Sequence, residues 1–121
     1  MSFKAGKTLA LAGINFAGKS QSDVTELFVQ TLEAGMHGIC MSPYEEGQQP
    51  GDELTEAQVR RRLQVLQPFS GWVRSYSCTE GNELICKVAR ELGMKTLVGA
   101  WLGKDAAKNE KEIAGLIQLA K

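Results

Sequence analysis

The 121-residue chain carries 14 basic and 14 acidic side chains, so its formal net charge is zero. That balance removes the global electrostatic case for nucleic acid or an anionic membrane surface as a partner. Apolar residues at 43% and charged residues at 23% are the usage of a globular domain and exclude a disordered chain.

In chain order, Lys7 to Ile14 is a short apolar stretch that suits a strand. Gly13-Ile14-Asn15-Phe16-Ala17-Gly18-Lys19-Ser20 then satisfies G-x-x-x-x-G-K-[ST]. In that motif backbone amides surround a phosphate, the lysine reaches its oxygens and the hydroxyl binds magnesium. Gly13, Gly18, Lys19 and Ser20 are therefore an alternative, nucleotide-binding site. Against it, no later strand ends in the acidic residue that would hold the metal. From Ser22, a plausible N-cap, apolar residues recur at helical spacing through Leu32, and Gly35 suits the C-cap.

Met36 to Met41 reads as a buried strand ended by Pro43, and Tyr44 to Leu54 as a polar loop with a solvated acidic set, Glu45, Glu46, Asp52 and Glu53. Thr55 with Gln58 forms a capping box for a helix whose inward stripe is Val59, Leu63 and Leu66. The Arg60-Arg61-Arg62 run on that helix reads as a solvated face. Gly71 to Tyr76 is a second strand. Asn82 is placed to cap a helix with the stripe Leu84, Ile85, Val88, Ala89 and Leu92, closed by Gly93. Gly81-Asn82-Glu83 has the letters of a catalytic motif but the position of a helix start. Met94 to Leu102 is a third clear strand. Asn109 with Glu112 makes a further capping box, and Ile113, Leu116, Ile117 and Ala120 are expected to face inward.

Cys40, Cys78 and Cys86 are an odd set without metal-ligand spacing. They read as buried thiols of a reducing compartment, and the absence of a long apolar opening segment makes the expected location cytoplasmic. His37, beside a strand start, is expected to be structural.

Strands alternating with helices predict an α/β protein with a parallel sheet, ligands gathering at the strands' carboxyl ends. An eight-unit barrel takes about 250 residues, so about four βα units make a half-barrel, a partial (β/α)8 TIM barrel. Residues 1–35 would be a leading strand–helix unit and 36–121 three further units. A small open sheet with helices on both faces is the alternative architecture. Open sheet edges and an uncovered interior make a homodimer the expected association. Tyr44, Tyr76 and Trp101 each stand at or beside a strand's carboxyl end, where rings suit stacking on flat faces such as those of sugars. Arg74 and Ser75 are placed to hydrogen-bond hydroxyls.

Four blocks in order carry a resemblance: 38–48 (GICMSPYEEGQ), 72–78 (WVRSYSC), 93–103 (GMKTLVGAWLG) and 109–113 (NEKEI). They resemble the amino-terminal half of bacterial family 17 glycoside hydrolases, the β-1,3-glucanase family, over residues 36 to 121. The resemblance implies a (β/α)8 barrel, retaining hydrolysis of β-1,3-glucan and no cofactor. It also implies that both catalytic glutamates, an acid in a Gly-Asn-Glu motif and a nucleophile, belong to later strands than those before Lys121. No catalytic residue is therefore assigned, Gly81-Asn82-Glu83 following the wrong strand. Tyr44, Arg74, Tyr76 and Trp101 match positions around the family's substrate cleft and are the expected binding residues for β-glucan or an oligosaccharide. A non-catalytic carbohydrate-binding module is a further alternative.

Overall fold

A computed structural model describes residues 14–121. The expected strand at Lys7–Ile14 and Gly13 of the phosphate-loop motif fall, but for Ile14, outside the described residues. The chain divides into two compact units, Met1–Thr31 and Leu32–Lys121.

In the first unit a 3-10 turn, Phe16–Gly18, leads into helix α1, Gln21–Glu33, whose last two residues fall past the unit's boundary. The N-cap is Ser20 and not Ser22. Its Oγ accepts the Asp23 N–H (3.2 Å), while the Asp23 carboxylate accepts the Ser20 N–H (2.9 Å). This reciprocal pair is a capping box with aspartate in the glutamate's place. Gly35 takes φ +79 beyond the end of α1, as a C-cap glycine should.

The second unit runs β1 (Ile39–Cys40), α2 (Glu56–Leu66), β2 (Trp72–Arg74), α3 (Leu84–Glu91), β3 (Lys95–Leu97) and α4 (Ala106–Leu119). The strands form one parallel sheet in the order β1-β2-β3, in register Ile39–Val73–Thr96 and Cys40–Arg74–Leu97. The α/β class is as expected; the half-barrel of four βα units is not. The described residues hold a three-stranded sheet of very short strands. The fourth unit rested on a strand over Lys7 to Ile14, which, but for Ile14, lies outside the described residues.

Side chains alternate across a strand, and here the two faces of the sheet differ. Val73 lies in a core made by Val59 and Leu63 of α2, Ile85, Val88 and Ala89 of α3, and Met41, Leu54 and Met94 from the connections. Cys40, Arg74 and Leu97, one row on the opposite face, are exposed. Two helices cover one face, so the architecture with helices on both faces is not observed among the described residues. The expectation of a buried Cys40 thiol fails for the same reason, because strand parity puts it opposite Val73's side. Cys78 is buried and Cys86 half-buried.

Helix ends explain the rest. Thr55 Oγ1 accepts the Gln58 N–H (3.2 Å), as the capping box requires, but the Gln58 side chain turns away to donate to the Pro43 carbonyl (2.9 Å). Gly93 at φ +75 ends α3, with the Met94 N–H returning to the Ala89 carbonyl (2.8 Å). The arginine run is balanced by neighbouring acids: Arg60 pairs with Glu56 and Glu91, and Arg61 with Glu45. His37 stacks on Trp72 at 5.9 Å between centroids, a structural contact at the strands' amino ends.

Candidate functional site at the strand ends

The loops leaving all three strands enclose a cleft of about 380 Å³. Tyr44 follows β1, Tyr76 and Ser77 follow β2, and Trp101 follows β3; Gln48, Glu80, Asn82, Lys108 and Glu112 complete its polar lining. The loops diverge from the sheet for local reasons. Pro43 cannot continue a strand ladder, and past Leu97 the last sheet-end contacts are the Ser75 N–H to the Leu97 carbonyl (3.0 Å) and the Gly99 N–H to the Ser75 carbonyl (3.2 Å).

The three rings are thus brought together. Tyr76 and Trp101 meet edge to face with centroids 6.5 Å apart, an arrangement favoured by the ring quadrupoles. The Tyr44 hydroxyl accepts a long bond from the Asn82 amide (3.4 Å), and that amide also donates to the Thr79 carbonyl (3.0 Å). Asn82 therefore braces the cleft wall and does not cap α3, whose N-cap position is Glu83 without a side-chain bond. Arg74 does not line the cleft. Its guanidinium lies over the Tyr76 ring, 4.8 Å from the centroid, on the exposed face of the sheet. Ser75 is buried below the rim, its Oγ without a hydrogen-bond partner among the described residues. A hydrogen bond with the Cys40 side chain, helped by burial, raises the Tyr76 phenol above its ordinary value against the pull of Arg74.

Glu112 is the residue that sequence reasoning misplaced. Asp105 is the real N-cap of α4, its carboxylate accepting the Lys108 N–H (3.1 Å), so Glu112 falls inside the helix and not in a capping box. It is fully buried. One carboxylate oxygen accepts the Ser77 and Thr79 hydroxyls (2.5 and 2.8 Å), the other the backbone N–H groups of Cys78 (2.9 Å) and Trp101 (3.1 Å). Burial pushes its pKa up. The bonds from Ser77, Cys78, Thr79 and Trp101 more than offset this, so the group sits below the ordinary carboxylate range and is ionised at neutral pH. The sequence signal was its spacing: Lys108, Glu112, Gly115 and Leu119 share one helix face.

The neighbouring Cys78 thiol is pushed up to about 11, by burial first and then by the Glu112 charge, with Cys86 and Glu83 adding to it. It is protonated at neutral pH and is no nucleophile. Glu80 also lines the cleft, in the left-handed backbone region at φ 58, and meets Lys108 Nζ at 3.4 Å. Both Glu112 oxygens accept hydrogen bonds from the protein, so neither is free to attack a sugar carbon as the nucleophile of retaining hydrolysis must. The described residues contain no cluster of His, Cys, Asp and Glu able to hold a metal ion.

The motif at the front takes another geometry. Lys19 is extended (φ −95, ψ 140), and the Ser20 hydroxyl and the start of α1 are engaged by Asp23, whose carboxylate is held below its ordinary value by the Ser20 hydroxyl and amide. A carboxylate at this helix start opposes an anionic phosphate there.

The fold and cleft define a small parallel α/β domain with an aromatic site at its strand ends. No family model, curated protein or solved structure matches the chain. No helix among the described residues is long and apolar enough to cross a membrane.

Proposed function

We propose that this chain binds β-1,3-linked glucan or its oligosaccharides in the strand-end cleft, as the substrate-binding side of a protein related to glucan-hydrolysing glycoside hydrolases, and does not itself cleave the bond. The observation carrying this reading is the convergence of Tyr44, Tyr76 and Trp101, from three separate strand ends, on one cleft that also presents Gln48, Asn82, Glu80 and Lys108. Pyranose rings offer flat C–H faces to aromatic rings and hydroxyls to amides and charges, and a cleft with these two kinds of lining suits them. The four sequence blocks resembling family 17 glycoside hydrolases support the glucan as the sugar. Glu112, buried with both oxygens accepting hydrogen bonds, supports binding without cleavage. The free thiols of Cys40, Cys78 and Cys86 agree with a reducing compartment.

Titration with a β-1,3-linked hexasaccharide, followed by isothermal calorimetry, tests the binding. Saturable binding that Trp101→Ala weakens about tenfold is expected, base or sugar stacking on an aromatic ring being a contact of this size. No binding heat up to millimolar sugar would end the reading. Release of reducing ends from laminarin is expected at background; turnover abolished by Glu80→Gln or Glu83→Gln would make the chain an enzyme. The outer strands β1 and β3 and the exposed Leu97 row support a homodimer, and sedimentation as a monomer at all concentrations would dismiss it.

A further inference from the structure

The loop from Val98 to Asp105 leaves the sheet, and Trp101 is 61% exposed, so neither strand pairing nor burial holds the backbone that carries its ring. Helix α4 does so instead. Glu112 accepts the Trp101 N–H, and two residues on Asn109 clamps Gly103, accepting its N–H (2.8 Å) and donating to its carbonyl (2.9 Å). On the other wall Tyr76 is followed directly by Ser77, Cys78 and Thr79, all bonded to the same Glu112 carboxylate. α4 can come this close because position 115 is glycine: a Cβ there would stand 2.6 Å from the Cys78 carbonyl oxygen. We propose that Glu112 is a positioning residue, whose buried carboxylate joins the backbone beside Tyr76 to that of Trp101 and so sets the spacing of the two rings that receive the ligand. The ligand half of this inference rests on the saccharide reading; the ring-spacing half does not.

The carboxylate acts here by its four accepting positions and not by touching ligand. A carboxamide can replace it, its oxygen accepting the Cys78 and Trp101 amides and its NH2 donating to the Ser77 and Thr79 hydroxyls, which accept as readily as they donate. Alanine leaves all four donors without that partner. The two variants therefore separate positioning from chemistry at the carboxylate.

The experiment uses the full chain carrying Trp72→Phe, which makes Trp101 the remaining indole. Near-ultraviolet circular dichroism without sugar reports the Tyr76–Trp101 pair, and hexasaccharide titration reports the site. Glu112→Ala should lose the Trp101 band and weaken binding about tenfold, whereas Glu112→Gln should keep the band and bind within about threefold of the parent. Ile85→Val, a core change away from the cleft, should leave band and affinity unchanged. If Glu112→Ala does not fold, Ser77→Ala with Thr79→Ala replaces it, and about a threefold loss with a reduced band is expected. An unchanged band in Glu112→Ala, or in the double variant where that stands in for it, would overturn the proposal. So would a Glu112→Gln protein with the parent's band but no affinity, because Glu112 would then act on the ligand directly. If the parent binds no glucan, the saccharide reading fails by itself, and the band still decides whether Glu112 spaces the rings.

Discussion

Helices α3 and α4 look alike in sequence, each with aliphatic residues at helical spacing, yet they are held in opposite ways. α3 buries Ile85, Val88 and Ala89 in the core against the sheet and α2. α4 buries Glu112 and leaves Ile113 and Ile117 exposed. An amphipathic pattern shows that a helix has an apolar stripe; it does not show that the stripe is the docked face. α4 docks where polar groups leaving β2 and β3 need an acceptor, and a carboxylate with four donors meets that need while Gly115 permits the approach.

The contrast can be broken experimentally. Ile85→Ala should cost about 2–5 kcal/mol in denaturant unfolding, the effect of a core cavity. Gly115→Ala should cost about 1–3 kcal/mol by forcing α4 away from Cys78, and its near-ultraviolet spectrum should change with it. Acid should act through the buried carboxylate of α4 more than through the exposed ion pairs that join α3 to α2. Because the folded-state pKa of Glu112 is depressed, its contribution is fully present above the ordinary carboxylate pKa and disappears as pH falls through the folded value. The melting temperature of the parent should therefore exceed that of Glu112→Gln near neutrality, with the gap closing in acid. A gap independent of pH would mean the ionised form is not what α4 uses. The smallest effect belongs to α4's outer stripe: Ile117→Ser should change stability by no more than about 0.5 kcal/mol in the same denaturant assay. A loss as large as that of Ile85→Ala would show that this stripe is covered in solution.

Much of the unit from 36 to 121 was legible. The three strand–helix alternations, the inward stripes of α2 and α3, the C-cap glycines Gly35 and Gly93, and the placing of Tyr44 and Tyr76 beside strand ends all follow from period and punctuation, whereas the strand expected over Met94 to Leu102 ends at Leu97 and leaves Trp101 in the loop that follows. Arg74 was read as a cleft residue because strand-end position alone does not distinguish a loop's cleft side from the sheet's outer face. Asn82 and Glu112 were read as caps because Asn and Glu at a helix start most often are. What changed their roles was a start shifted by a few residues, at Leu84 and Ala106, a boundary that local sequence fixes poorly.

Sequence by itself determined the alternation of elements, the apolar face each central helix offers and the chemical kinds of group at the rim, because these depend on residue type and short-range spacing. Tertiary structure alone decided that the sheet of the described residues has three strands with Cys40, Arg74 and Leu97 exposed in one row, that three rings share a cleft and that a glutamate ties two of its walls. Those facts depend on groups far apart in the chain: Glu112 lies 35 residues beyond Ser77, and their hydrogen bond exists only once the strand ends are side by side.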